Sequence, residues 1–172
     1  MASLLPLISE LLPMVMPAPV EVTRAKDLQP VHPTVEGPVL QRDAIMDKCD
    51  KMCASVLTIR PRSSTPIRHN SEQGELSLSH GSRSLPGILI CEDAIMYLVS
   101  GSSILTVKEG FDDNLQRHEL SLGDFVFVPA WTEHQACNET GEDASWLVIQ
   151  SGPRRVGAVL VDWGGAEVVA RD

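Results

Sequence analysis

A chain of 172 residues, 43% hydrophobic and 22% charged, is long enough to bury one hydrophobic core without disulfide or metal staples. Its formal charge of −9, with 14 Lys and Arg scattered along the sequence, argues against nucleic acid and anionic membrane surfaces as partners, because both require clustered basic residues. Cys49, Cys53, Cys91 and Cys137 make neither a CxxC pair nor a dense framework, and read as reduced thiols of a cytoplasmic protein.

The first segment, "MASLLPLISELLPMVMPAPV", is apolar, but no basic residue precedes Arg24, and Glu10 with Pro6, Pro13, Pro17 and Pro19 interrupts the run. It is therefore expected to be neither a secretory signal nor a membrane span, but part of an N-terminal extension over residues 1–36 that packs on a partner subunit or stays mobile. From residue 37 onward the sequence alternates short β segments with turn signals. Stretches rich in β-branched, Leu and aromatic residues predict strands at 37–45, 54–61, 94–101, 103–110, 116–121, 124–129, 145–151 and 156–163. Gly101-Ser102, Gly123 and Gly152-Pro153 punctuate them. A short helix is predicted near 44–51. Strands at this spacing, with no long helical period, predict an all-β sandwich or closed barrel rather than a parallel βαβ sheet. Residues 37–166 form the expected domain and 167–172 a C-terminal tail.

The stretch 74–92, "GELSLSHGSRSLPGILICE", interrupts this rhythm where "PIRHNSEQ" and "DAIMYLVSG" would otherwise join. It reads as an inserted loop: a lid over the barrel mouth, a disordered segment or a retained-intron remnant in the coding sequence.

In "GDFVFVPAWTEHQACN" the spacing of Gly123, Pro129, His134 and Asn138 resembles the second motif of the cupin superfamily, Gly-x5-Pro-x-Gly-x2-His-x3-Asn. Trp131 stands where that motif has its second glycine. The resemblance extends more loosely from Ser55 to Trp163, including "YLVSG", and implies an all-β cupin jelly-roll barrel with His134 projecting inward. The family's first motif supplies two His and a Glu; here those positions fall on Arg68, Asn70 and Ala94, with Asp93 one residue away on the wrong face. Strand alternation puts Arg68, Asn70 and Glu72 on one face and His69 on the other.

This constellation supports acid–base chemistry without a resident cofactor. His134 is the expected general acid or base, Arg68 the group that fixes a carboxylate, phenolate or enolate, and Glu72 the residue that orients Arg68 or carries the second proton. Asn70, Tyr97, Phe127 and Trp131 are the expected substrate-binding residues. An Arg68–Glu72 ion pair with His134 on a backbone carbonyl is the purely structural alternative. A second reading is a metal-dependent dioxygenase binding Fe, Mn, Ni or Zn through His134, His69 and a carboxylate, and a third is a non-catalytic metabolite-binding barrel. The sequence also resembles small single-domain cupins encoded beside fungal secondary-metabolite genes. That resemblance implies a homodimer acting on an aromatic or polyketide-like small molecule by decarboxylation, dehydration, cyclisation or isomerisation.

Overall fold

The computed structural model describes residues 20–28, 37–76, 85–110 and 114–168. Its strands are β1 (Val39–Ile45), β2 (Met52–Ile59), β3 (Ser63–Ser64), β4 (Arg68–His69), β5 (Ser71–Leu76), β6 (Leu85–Cys91), β7 (Ala94–Ser100), β8 (Ser102–Lys108), β9 (Leu115–Ser121), β10 (Phe125–Val128), β11 (Glu133–Asn138), β12 (Ala144–Ser151) and β13 (Ala158–Val159). One sheet has the order β1-β2-β12-β7-β10 and the other β13-β4-β11-β8-β9, with β3 also pairing β11. All recorded pairings are antiparallel. Chain-distant strands lie side by side in each sheet, which is the crossover pattern of a jelly roll.

Period-two alternation builds the core between the sheets. In β12 the inward residues are Ala144, Trp146, Val148 and Gln150; in β7 they are Ala94, Met96 and Leu98; and in β8 they are Ser103, Leu105 and Val107. Burying this Leu, Val, Met and Trp cluster supplies the main driving force for folding. Toward one end of the sandwich the inward positions turn polar, with Ser55, Asn70, His134 and Gln150 all buried.

Several expectations need correction. Residues 44–51 form no helix: β1 continues through a bulge to Ile45, and Asp47 then takes a positive φ of 55°, which breaks helical geometry. The strand expected over 156–163 shrinks to Ala158–Val159, and Leu160 makes an isolated bridge to Glu167. Residues 74–76 and 85–91, expected within a loop, belong instead to an antiparallel ribbon in which Ser71 faces Cys91 and Gly74 faces Ile88. Residues 77–84 lie outside the described set, as do 1–19, 29–36, 111–113 and 169–172. Of the N-terminal extension, 20–28 is described: a 3-10 turn at Ala25–Asp27, with Thr23 donating to the Ala44 carbonyl at 2.6 Å. Among the described residues no helix is long and apolar enough to cross a membrane.

Candidate functional site

His134 of β11 stands directly opposite Arg68 of β4, so neighbouring strands place both side chains at the polar end of the barrel. They line a cavity of about 30 Å³ with Gln41, Thr65, Asn70 and Gln150 as its other polar walls and Leu57, Ala94, Met96, Ala136 and Val148 as its apolar ones. That volume holds one or two waters, or the head group of a larger molecule.

His134 is 5% exposed, and its Nδ1 lies 2.9 Å from the Thr132 carbonyl oxygen. A carbonyl only accepts, so Nδ1 carries the proton and Nε2 is left with a free lone pair. Burial lowers the imidazole pKa to about 4; the Thr132 bond opposes this, while the charges of Arg68 and His69 add to it. At neutral pH the ring is therefore uncharged.

Arg68 is lowered to about 10, first by burial and then by the nearby Arg155, and so remains a cation at neutral pH. Its Nε is sealed from solvent without a hydrogen-bond partner, as are Asn70 Nδ2 and Gln150 Oε1. Among the described residues no carboxylate forms an ion pair with Arg68. Buried polar groups are normally satisfied, so unpaired donors on a cationic wall match an anionic guest.

The other sequence-selected residues are placed differently. Glu72 lies in β5 opposite Ile90, and its side chain is outside the described set. His69 faces away from the cavity, packed at 5.1 Å between ring centroids against Trp131 and 3.6 Å from Glu167. Trp131 is 42% exposed on that outer side. Tyr97 and Phe127 lie on the outer face of the β7–β10 pair, where Tyr97 stacks on Phe125 with centroids 4.4 Å apart. None of these three aromatic residues lines the cavity. The outward positions of Tyr97 and Phe127 follow strand parity, since their inward neighbours are Met96, Val126 and Val128. Asp93 also faces outward and accepts the Ala130 N–H at 3.0 Å.

The sequence reading passed over Gln41, Gln150 and Glu92. Glu92 is 4% exposed with Oε2 unpartnered. Burial raises its pKa to about 7 against the opposing effect of a hydrogen bond from the Val156 N–H. It lies in the link between β6 and β7, where burial still alternates, Glu92 and Ala94 buried and Asp93 exposed; that alternation was the signal available in the sequence.

The positions where cupins place metal ligands hold a guanidinium, a carboxamide, a methyl group and one imidazole. Arginine stays protonated, cannot ligate and repels a divalent cation, and one nitrogen falls short of the three or four donors that Fe, Mn, Ni or Zn sites need. Among the described residues no group of three His, Cys, Asp or Glu converges. These residues do not fit a resident metal.

Residues 92–150 match the family model for the cupin domain, a span that runs from Glu92 through β7 to β12 and includes His134. No curated protein matches the chain. Among solved structures it is similar to the oxalate decarboxylase of Lactobacillus farciminis, at 16% identity and a TM-score of 0.61, covering 81% of this chain and 36% of that one. The chain thus spans little more than a third of that protein. It is similar to KdgF from Halomonas sp., at 17% identity and a TM-score of 0.52, covering 80% of this chain and 96% of that one. It is also similar to the polyketide cyclase RemF from Streptomyces resistomycificus, at 17% identity and a TM-score of 0.54, covering 79% and 81% of the two chains. At these identities the likeness establishes the cupin jelly-roll fold.

Proposed function

We propose that this cupin barrel is a metal-independent tailoring enzyme that transfers a proton on a small, enolisable, anionic metabolite of the aromatic or polyketide-like kind. The observation that carries the reading is an uncharged His134 facing across one cavity an Arg68 that no carboxylate among the described residues neutralises. The cavity takes the reacting end of such a molecule, and its ring system stays toward the mouth.

An incoming carboxylate, phenolate or enolisable carbonyl meets Arg68 through charge-assisted hydrogen bonds. A carboxylate or phenolate offsets the Arg68 charge that, after burial, adds to the lowering of His134, so the base strengthens as an anionic substrate arrives. His134 Nε2 then removes a proton from the carbon beside the carbonyl. The C–H electron pair moves into an enolate, whose oxygen is held by Arg68 and the free Asn70 N–H. The imidazolium returns its proton to another carbon in an isomerisation or to a departing hydroxyl in a dehydration. Similarity in fold to a polyketide cyclase supports this substrate class.

His134→Ala and Arg68→Ala are expected to lower turnover of enolisable polyketide-like substrates by at least about a hundredfold with unchanged circular dichroism. Wild-type rates in both variants would overturn the assignment. Chelator-treated enzyme is expected to keep its activity; a stoichiometric metal that is lost in His134→Ala would favour the dioxygenase reading instead.

A further inference from the structure

The two sheets end in edge strands, β10 in one and β9 in the other. β10 pairs with β7 and β9 with β8, and among the described residues no pairing joins β9 to β10, so the sandwich stands open along this seam. A cleft of about 290 Å³ enters there, floored by Leu105, Val107, Val126 and Val128. The register sets His118 opposite Leu105, which places its imidazole on the inward face of β9. It lines the cleft and is nevertheless exposed, because the facing sheet stops at β10. Glu109 stands in the same lining and accepts from Gln116 Nε2 at 2.8 Å.

The cleft adjoins the cavity of His134 and Arg68. Two cross-strand pairs divide between the two spaces. In one sheet His134 lines the cavity and its partner Val107 the cleft; in the other Ala94 lines the cavity and its partner Val128 the cleft. Paired strands lie about 4.8 Å apart, a distance that a fused ring bridges. Thr132 also lines the cleft, and its carbonyl oxygen accepts the His134 Nδ1–H. The cavity, at about 30 Å³, has room for a head group alone. Cleft and cavity together reach the lower end, about 300 Å³, of the range of small-molecule sites.

We infer that this cleft is the subsite for the body of the substrate and that His118 is a specificity-determining residue, reading a hydroxyl or carbonyl on that body. The inference rests on the reading of Arg68 as the anion-binding group. The lining defines the ligand class. An apolar floor takes a neutral fused ring, and the Glu109 carboxylate disfavours a second anion there. The single negative charge therefore belongs at the Arg68 end and a neutral oxygen at the His118 end, where either ring nitrogen gives or takes a hydrogen bond. Phe127, 61% exposed on the edge strand β10, borders the cleft and meets the substrate there rather than in the cavity.

The probe is 6-hydroxy-2-naphthoate, which carries a carboxylate at one end of a fused ring and a hydroxyl at the other. In nuclear magnetic resonance titration of the full chain, the Val107 and Val126 methyls, the His118 ring and the Arg68 Nε–H are expected to shift together with one saturation curve. Cleft resonances that stay fixed, or that move without Arg68, would overturn the proposal. Val126→Trp fills the cleft and should weaken the probe at least about tenfold, while acetate, which needs only the cavity, keeps its wild-type effect on Arg68; equal probe affinity in wild type and variant would refute the subsite. Should Val126→Trp fail to fold, the wild-type shifts decide. His118→Ala should weaken 6-hydroxy-2-naphthoate by about two- to tenfold and leave 2-naphthoate, which lacks the hydroxyl, unchanged. A merely structural His118 would weaken both acids alike, and that result would overturn its role. No readout depends on turnover: a chain that binds the probe in this way but converts no enolisable substrate keeps the subsite and loses the proton-transfer reading, and turnover with silent cleft resonances does the reverse.

Discussion

Trp131 shows at the level of one residue how sequence pattern and physics can diverge. The backbone there keeps the left-handed conformation that suits glycine, φ 66°, although a bulky side chain in that region carries roughly 1 to 3 kcal/mol of strain. The compensation is visible: the ring packs on His69, and the Trp131 N–H donates to Ser71 Oγ at 3.0 Å. Trp131→Gly relieves the strain but loses the ring contact, whereas Trp131→Ala keeps the strain and loses the contact. Urea titration should therefore find the Gly variant more stable than the Ala variant by about 1 kcal/mol. The reverse order would mean that the turn is not strained. The same residue explains why its role was hard to read in advance. Its place in the spacing is legible, but the side chain lies over His69 on the outer face, a direction that depends on how the turn after β10 leaves the sheet.

Among the described elements, the turn between β11 and β12 is held by four bonds to one side chain. Asn138 is buried, donates to Ile59 O at 2.9 Å and Glu142 O at 2.7 Å, and accepts from the Thr140 N–H at 3.0 Å and the Thr140 hydroxyl at 2.7 Å. It closes the turn and ties β11 of one sheet to β2 of the other, which gives the last position of the cupin-like spacing a structural meaning. Asn138→Ala removes the buried bond to Ile59 O and the acceptor of the Thr140 N–H, while Glu142 O keeps the Thr140 hydroxyl at 3.1 Å, and should cost about 1 to 3 kcal/mol in denaturant midpoint experiments. A loss below about 0.5 kcal/mol would show that water replaces the side chain. Strand existence was legible from local composition because alternation within β2, β7, β8 and β12 is a local property. The ribbon of β5 and β6 was not, since its 71–76 half reads as polar and its partner lies across residues whose spacing suggests a loop. Only cross-strand pairing makes it a strand.

For the molecule as a whole, two buried groups in the polar end pull stability in opposite directions with pH. Glu92 rises from 4.5 to about 7 on folding, so between these values the native state keeps a proton that the unfolded chain has released, and stability falls as pH rises. His134 drops from 6.5 to about 4, so between those values the unfolded chain binds a proton that the native state does not, and stability rises with pH. Over the shared window from 4.5 to 6.5 the two contributions nearly cancel. Relative to wild type, urea midpoints should gain a positive pH slope in Glu92→Gln and a negative slope in His134→Gln; parallel profiles in all three proteins would contradict the buried placement of both groups. The sequence by itself determined the all-β class, most strand positions and the common face of Arg68 and Asn70, because period-two alternation and turn chemistry act between near neighbours. Only the tertiary structure decided that His134 stands opposite Arg68, that Tyr97 and Phe127 face outward, and that Glu92 is buried against Gly152. Those relations join strands far apart in the chain, and sheet order, which local propensity does not encode, sets them.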